Sequence, residues 1–463
     1  MTRYSKLAVG TLLLFTAFSS CQKELKEQKA EEPIMSVERG NKPLEPGFAE
    51  NDMVLYWNDK VATVLGAPMN QPTRTRNFAI IEIAVHDALN NIKPKYERYA
   101  LQERMQHADP DAAVASAAYW AIKGLNRQGT FPVDTWYAES LAAIPNGKAK
   151  ELGITLGKKA ADAIIANRAN DGFAQTILTS LTPANGVNPG EYRSTVTAVN
   201  YVPTQNLFPF RILPNWGTVM KPYVVESNQQ FRPSGGPYPV ASDEYTADFN
   251  EVKTKGARVG GTRTAEEDKI AKFWSENRPS ITWNTMVRKA IENKKLDAWK
   301  TARLFALMHV SMAESINTQF NASYFYYSWR PETAIRLAAT DGNNNTQADP
   351  SWLPYLSETP TSVSPSVPGY PNGFAAYGGT TVEILRLFFS SDETFITMTT
   401  TSANPAVMEP KPSFHFATYS EAARSNSLAM IYAGWDFRKS VLDGEAMGRQ
   451  IANYVFTHAF REE

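Results

Sequence analysis

Cysteine is almost absent from this 463-residue chain, which contains one, Cys21. A single cysteine forms no intramolecular disulfide, so a disulfide-stabilised fold is excluded, together with thiolate metal sites and a cysteine nucleophile in the body of the chain. Histidine is also scarce. The five histidines include no HExxH motif and no other paired ligand spacing.

An excess of positive charge is missing as well. The sequence has 47 basic and 47 acidic residues and therefore a formal net charge of zero. No Lys/Arg-rich run offers a footprint for a phosphate backbone. We therefore predict that nucleic acid is not a partner.

A long hydrophobic run is lacking too. The apolar, acid-free segment Leu7–Phe18 is too short to cross a bilayer as a helix, and it follows Arg3 and Lys6. This pattern predicts a secretory signal peptide over residues 1–21. Its end, "FSSC", resembles a bacterial lipobox, which implies that Cys21 carries lipid and anchors the protein to a membrane of the bacterial envelope, on the periplasmic or surface side. The alternative is an ordinary signal peptide with an incidental cysteine.

The segment after the cysteine, "QKELKEQKAEEPIMSVERGNKPLEPG", is rich in Lys, Glu and Pro and poor in aromatic residues. Such a composition buries too little apolar surface to pay for ordering. We predict that residues 22–48 form a disordered tether between anchor and folded body.

The remaining sequence is dominated by helical periodicity. In "RTRNFAIIEIAVHDALNNIKP" apolar residues recur every three or four positions, which predicts an amphipathic helix with one apolar stripe. Thr182 to about Tyr245 is rich in Pro, Gly and Asn and predicts long loops, where a few short strands are possible. The predicted fold class is all-α. We divide it into an N-terminal helical region, 49–300, and a helical core, 301–463.

Three late segments stand out: "YFYYSWRPETAIR", "VPGYPNGFAAYGGTTVEILRLFF" and "SLAMIYAGWDFRKSVLDGEAMGRQ". Their order and spacing resemble the vanadium-dependent haloperoxidases and the type 2 phosphatidic-acid phosphatases. The resemblance extends from about residue 50 to about residue 460. It implies a helical bundle with an oxyanion pocket, in which cations and hydrogen-bond donors surround vanadate or phosphate.

The resemblance also assigns roles to seven positions, of which only the arginine of Arg-Pro and the glycine of Ser-Gly-His keep the superfamily residue. The other five positions belong to a lysine, a serine, an acid/base histidine, a second arginine and a histidine that bonds vanadium or attacks phosphorus. In chain order the seven positions hold Ser323, Arg330, Asn372, Gly373, Phe374, Met430 and Asp436.

These replacements favour a pseudoenzyme with a binding or scaffold role, whose ligand or envelope-protein partner the sequence does not identify. We expect that vanadate, the cofactor implied by the resemblance, is not bound, although Arg330 remains as a residue that could contact it. One alternative is an active vanadium-dependent haloperoxidase or phosphatase-type enzyme with an atypical site. Another is a new hydrolytic site that uses Asp436 and Glu383.

The pattern makes four structural predictions. A buried Arg330 needs a counter-ion, so Arg330 and Asp436 should face one another, with Asn372 bonding nearby. The pair Gly378-Gly379 should allow close helix contact. Glu82 and His86, four residues apart, should form a helix-surface hydrogen bond or ion pair rather than a metal pair. His309 should be a satisfied core histidine.

Overall fold

The computed structural model describes residues 52–176, 184–194, 213–275, 278–292, 294–356, 365, 367–400 and 411–463. All of these residues belong to one compact unit. The predicted signal peptide, Cys21 and the predicted tether lie outside the described residues. The predicted division near residue 300 stays a prediction.

Helices make up most of the described residues, and the predicted all-α class is confirmed. In chain order the helices are α1 (Asp52–Leu65), α2 (Gln71–Ile92), α3 (Pro110–Gly124), α4 (Val133–Ala142), α5 (Lys148–Asn167), α6 (Trp216–Val219), α7 (Asp243–Lys255), α8 (Ala265–Ser275), α9 (Pro279–Ile291), α10 (Ala298–Tyr326), α11 (Pro331–Leu337), α12 (Gly373–Phe389), α13 (Tyr419–Tyr432) and α14 (Arg438–His458). Among these helices, none combines the length and apolarity that a membrane crossing requires.

The strands of the described ranges lie late in the chain. β1 (Glu393–Thr399) and β2 (Ser413–Thr418) pair antiparallel in a two-stranded sheet. The suggestion of short strands in the middle loops is wrong for the described part of that region, which is irregular except for α6 and the start of α7 and contributes only an isolated bridge from Glu191 to Ser328. Pro and Gly interrupt the regular backbone pairing there.

Helix α2 is not amphipathic, contrary to the prediction of a single apolar stripe. Every residue from Pro72 to Ile92 is buried, because the helix contacts α1, α3, α5 and α10 on different sides. A helix enclosed in this way must also accommodate its polar residues in the interior. Sequence periodicity identifies the apolar positions of a helix, but it contains no information about the other helices that cover its polar faces.

Burial also corrects the interpretation of Glu82 and His86. Glu82 lies in the core and accepts a hydrogen bond from Asn58 Nδ2 at 2.9 Å, while His86 Nδ1 lies 3.3 Å from Asp87 Oδ1. The predicted helix-surface pair is therefore wrong. The core position predicted for His309 is confirmed, and its Nε2 lies 3.0 Å from Asn284 Oδ1. Its Nδ1 is buried with no hydrogen-bond partner among the described residues, so the predicted full satisfaction of the ring is wrong.

Close contact between α12 and α14 depends on glycine. A Cβ atom on Gly379 would lie 2.1 Å from the carbonyl oxygen of Glu445, and one on Gly448 would lie 2.3 Å from that of Ala376. Both distances are impossible for real atoms, so these positions admit only glycine at this separation. The close contact predicted for the glycine pair is confirmed at Gly379, and it brings the starts of α12 and α14 together.

Candidate functional site

Arg330 lies in the bend between α10 and α11. Tyr327 ends α10 with a φ of 50°, and Pro331 occupies the start of α11, where a helix needs no backbone donor. The Arg330 side chain is buried and donates from Nε to the carbonyl oxygen of Val367 at 2.7 Å and from Nη1 to that of Trp435 at 2.9 Å. Two backbone segments therefore hold the guanidinium in place.

Asp436 is the charged partner of Arg330. Its Oδ2 accepts a hydrogen bond from Arg330 Nη1 at 2.9 Å and another from Asn372 Nδ2 at 2.7 Å. The exposed fractions of the two charged side chains are 7% and 2%. The prediction that Arg330 and Asp436 face one another, with Asn372 bonding nearby, is confirmed.

Ser440 completes the surroundings of the carboxylate, and sequence analysis missed it. Its Oγ lies 3.2 Å from Asp436 Oδ1 and 2.6 Å from the carbonyl oxygen of Gly369. Ser440 stands four residues after Asp436, near the start of α14. That spacing, common for neighbouring side chains around a helix start, is the signal that could have identified it.

Asn372 connects the ion pair to a helix start. Its Oδ1 accepts the backbone N–H of Ala375 at 2.7 Å and so caps α12, while its Nδ2 donates to Asp436. An amide performs both tasks because it carries an acceptor and a donor. An aspartate here would cap the helix but would repel Asp436.

Ser323, at the position where the resemblance implies a lysine, is hydrogen-bonded to a second amide side chain, that of Gln319. Ser323 is buried on α10, and its Oγ accepts a hydrogen bond from Gln319 Nε2 at 2.7 Å. Gln319 Nε2 also lies 3.3 Å from the carbonyl oxygen of Pro371, and a Cβ on Gly373 would lie 3.3 Å from Gln319 Oε1. Gln319 therefore packs beside Gly373. Sequence analysis missed it, although its four-residue spacing from Ser323 is a helical signal.

The two remaining positions carry apolar side chains. Phe374 is half-buried, and its ring centroid lies 6.2 Å from that of Trp435. Met430 is fully buried, and its carbonyl oxygen accepts the backbone N–H of Trp435 at 2.9 Å. Neither side chain can act as a general acid or base, and neither carries a charge that could bind an oxyanion.

Burial and charge act on Asp436 in opposite directions. Complete desolvation raises the pKa of the Asp436 carboxyl above its ordinary value, and the Arg330 charge and the hydrogen bonds from Asn372, Arg330 and Ser440 oppose that rise. The structure places one buried guanidinium against one buried carboxylate. The charge at the centre of the site is therefore balanced within the protein.

Glu383 belongs to a different network. Its Oε2 bonds to Arg386 Nη1 at 2.8 Å and to Arg449 Nη1 at 3.0 Å, and its Oε1 accepts from Asn453. None of these partners is a partner of Asp436. The structure thus gives no support to a shared hydrolytic site of Asp436 and Glu383.

Histidine does not replace the missing groups. His86 and His309 are buried in the core, and the other three are exposed. None of the five is a hydrogen-bond partner of Arg330 or Asp436 in the described ranges. Within those same ranges, no group of three or more His, Cys, Asp or Glu residues could hold a metal ion.

Comparison with known proteins identifies related folds. Residues 303–462 match the family model described as the VCPO second helical-bundle domain. The chain is 21% identical over 416 residues to a vanadium chloroperoxidase from Curvularia inaequalis, an alignment that covers 75% of this chain and 67% of the relative.

Two solved structures extend the likeness to nearly the whole chain. A bacterial vanadium-dependent iodoperoxidase superposes with a TM-score of 0.70 at 21% identity, covering 90% of this chain and 98% of the other. The holo form of a bacterial vanadium-dependent chloroperoxidase superposes with a TM-score of 0.66 at 17% identity, covering 89% of this chain and 99% of the other.

The central ion pair yields a stability prediction. Arg330→Ala should lower the free energy of unfolding by about 3–5 kcal/mol, because it leaves a buried carboxylate without its charged partner. The double variant Arg330→Met, Asp436→Leu should cost less than the two single changes combined. Urea denaturation measures the cost of Arg330→Ala, of Arg330→Met, of Asp436→Leu and of the double variant.

The matched control is the exposed pair Lys158 and Asp162, 2.6 Å apart on α5. Lys158→Ala should cost no more than about 0.5 kcal/mol, since exposed ion pairs contribute little. A cost for Arg330→Ala as small as that of Lys158→Ala would contradict a buried pair.

Proposed function

We propose that this chain, which belongs to the haloperoxidase-like superfamily, is a non-catalytic member with a binding or scaffold role at a bacterial envelope membrane. The observation that carries the proposal is the contact between Arg330 and Asp436. In the superfamily pattern the arginine binds an oxyanion. In this chain a carboxylate of the protein itself occupies the anion-binding side of that arginine.

Electrostatics supports the proposal. Relative to the superfamily pattern, the site lacks a lysine at Ser323 and an arginine at Met430 and gains the carboxylate of Asp436. At roughly 4 Å and an effective dielectric of about 20, each unit charge is worth about 4 kcal/mol against an anion. The three changes amount to on the order of 10 kcal/mol before screening. One third of that weakens binding by more than about a hundredfold.

The residues present do not fit vanadate. The resemblance implies a histidine that bonds vanadium, and Asp436 holds that position and is engaged with Arg330. Phe374 replaces the acid/base histidine and carries no titratable group. Phosphoryl transfer lacks its nucleophile for the same reason, because Asp436 stands in the place of the attacking histidine.

The proposed location depends on the sequence before the described residues. The "FSSC" end of the apolar segment supports lipidation of Cys21, and the charged residues 22–48 support a tether that separates the lipid from the folded body. We extend the proposal to anchoring through this lipid, on the periplasmic or surface side. The formal net charge of zero supports the further proposal that nucleic acid is not a partner.

Activity assays test the lack of catalysis. Purified protein with added vanadate should show no oxidation of bromide or iodide by hydrogen peroxide, and no hydrolysis of p-nitrophenyl phosphate above buffer. Residues of such a site act as a unit, so loss of several removes turnover altogether. Vanadate-dependent halide oxidation that disappears in Arg330→Ala would instead establish the active-enzyme alternative.

A reversion series gives the positive control. The five-fold variant Ser323→Lys, Asn372→Ser, Phe374→His, Met430→Arg and Asp436→His should regain vanadate binding, and each single reversion should not. Circular dichroism identifies variants that fold. The assay on the unmodified protein decides the question even where the five-fold variant does not fold.

Anchoring is tested by changing the cysteine. Labelled palmitate should enter the unmodified protein in bacterial cells and should be absent from Cys21→Ser. The variant should also leave the detergent-extracted lipoprotein fraction. Absence of label from the unmodified protein would show that the segment is an ordinary signal peptide.

A further inference from the structure

A cavity of about 60 Å³ lies beside the ion pair. Ser440 connects the two, because it lines the cavity and its Oγ is 3.2 Å from Asp436 Oδ1. The cavity is smaller than the roughly 150 Å³ that an engineered benzene-binding cavity provides. An aromatic ring or a sugar ring is therefore too large for it, and a group of a few heavy atoms is the appropriate size.

Aromatic rings form most of its wall. The rings come from Tyr238, Tyr245, Trp329, Tyr370 and Phe437. The Tyr245 ring centroid lies 5.6 Å from that of Phe437 and 6.4 Å from that of Trp329. Ring faces attract cations.

Asp248 supplies a negative charge at the cavity. Asp248 is 8% exposed, and its Oδ2 accepts a hydrogen bond from the backbone N–H of Lys439 at 2.8 Å. Its Oδ1 accepts no hydrogen bond from a described residue, and Asp248 forms no ion pair within the described part of the chain. The backbone N–H at the start of α14 therefore occupies one carboxylate oxygen of Asp248, and the other oxygen can accept a hydrogen bond from a ligand.

The neighbouring charges are already paired with one another. Lys439 Nζ lies 2.8 Å from Asp443 Oδ2, and Arg438 pairs with Glu251. Lys439 Nζ also lies 5.3 Å from the centroid of the Tyr238 ring. Lys439 lines the cavity, but its ammonium charge is balanced by Asp443, whereas Asp248 forms no ion pair with a described residue.

We propose that this cavity binds the ammonium group of a small primary alkylamine, with Asp248 as its counter-ion and the aromatic rings as its walls. The proposal names a ligand class for the binding role proposed above and rests on that role. The negative charge of Asp248 favours an ammonium group over a neutral alcohol, and the small volume of the cavity excludes ring-shaped ligands.

Binding is measured with ethylammonium, with ethanol as the neutral control and propionate as the anionic control. Transverse-relaxation-optimised NMR of the indole N–H groups should show a saturable shift of the Trp329 signal with ethylammonium alone. The loss of one signal in Trp329→Phe identifies it among the 10 tryptophans. A shift of equal size with ethanol, or no saturable shift at millimolar ethylammonium, would overturn the proposal.

The counter-ion is tested with Asp248→Asn, which keeps an acceptor for the Lys439 N–H. Affinity for ethylammonium should fall roughly tenfold or more, since hydrogen bonds to charged groups are worth more than neutral ones. Asp243→Asn changes an exposed acid on the same helix and should leave the affinity unchanged. Equal affinity in Asp248→Asn and the unmodified protein would contradict the assignment.

The pH dependence gives an independent readout. Burial is the main cause that raises the pKa of Asp248 to about 6, with Glu251 adding to it and Arg438 and Lys439 opposing it. Asp248 is therefore charged above about pH 6 and neutral below, while ethylammonium stays charged throughout this range. Affinity should rise as pH increases from 5 to 7, and this rise should be absent in Asp248→Asn. No part of this test uses vanadate, so its failure is distinct from failure of the non-catalytic proposal.

Discussion

A buried arginine needs a negative partner, and the ion pair of Arg330 with Asp436 is the constraint on which the site depends. An unpaired guanidinium at this depth would cost several kcal/mol. In the superfamily pattern a bound oxyanion meets the arginine. Here Asp436 meets it at 2.9 Å, Asn372 donates a second hydrogen bond to the carboxylate, and Ser440 Oγ lies 3.2 Å from its other oxygen. The protein thereby balances the Arg330 charge with a carboxylate of its own.

The helical frame keeps this arrangement in place. Asn372 starts α12 and bonds Asp436, which stands just before α14, so the two helix starts are joined through one carboxylate. Gly379 and Gly448 allow these helices to approach until backbone contacts backbone. Helix packing and the Asn372–Asp436 hydrogen bond together hold the frame around the ion pair.

The fold class and the central ion pair could both be predicted from the sequence. Helix patterns gave the all-α class, and the motif positions placed Arg330 opposite Asp436. Sequence analysis missed Gln319 and Ser440, although each lies four residues from a motif position. Their further contacts, with the carbonyl oxygens of Pro371 and Gly369, arise from tertiary packing. It also failed for Glu82, because periodicity reports which residues of a helix are apolar and cannot report that α2 is covered on every side. A pattern along one element contains no information about how many other elements surround it.

We have proposed that Asp436 takes the place of the oxyanion in the site that this sequence resembles. The most direct measurement is a crystal structure of the unmodified protein grown with millimolar vanadate. We expect that Arg330 Nη1 and Asp436 Oδ2 remain at hydrogen-bonding distance and that no anion contacts Arg330. A tetrahedral anion bonded to Arg330 and Asn372, with the Asp436 side chain displaced, would contradict it.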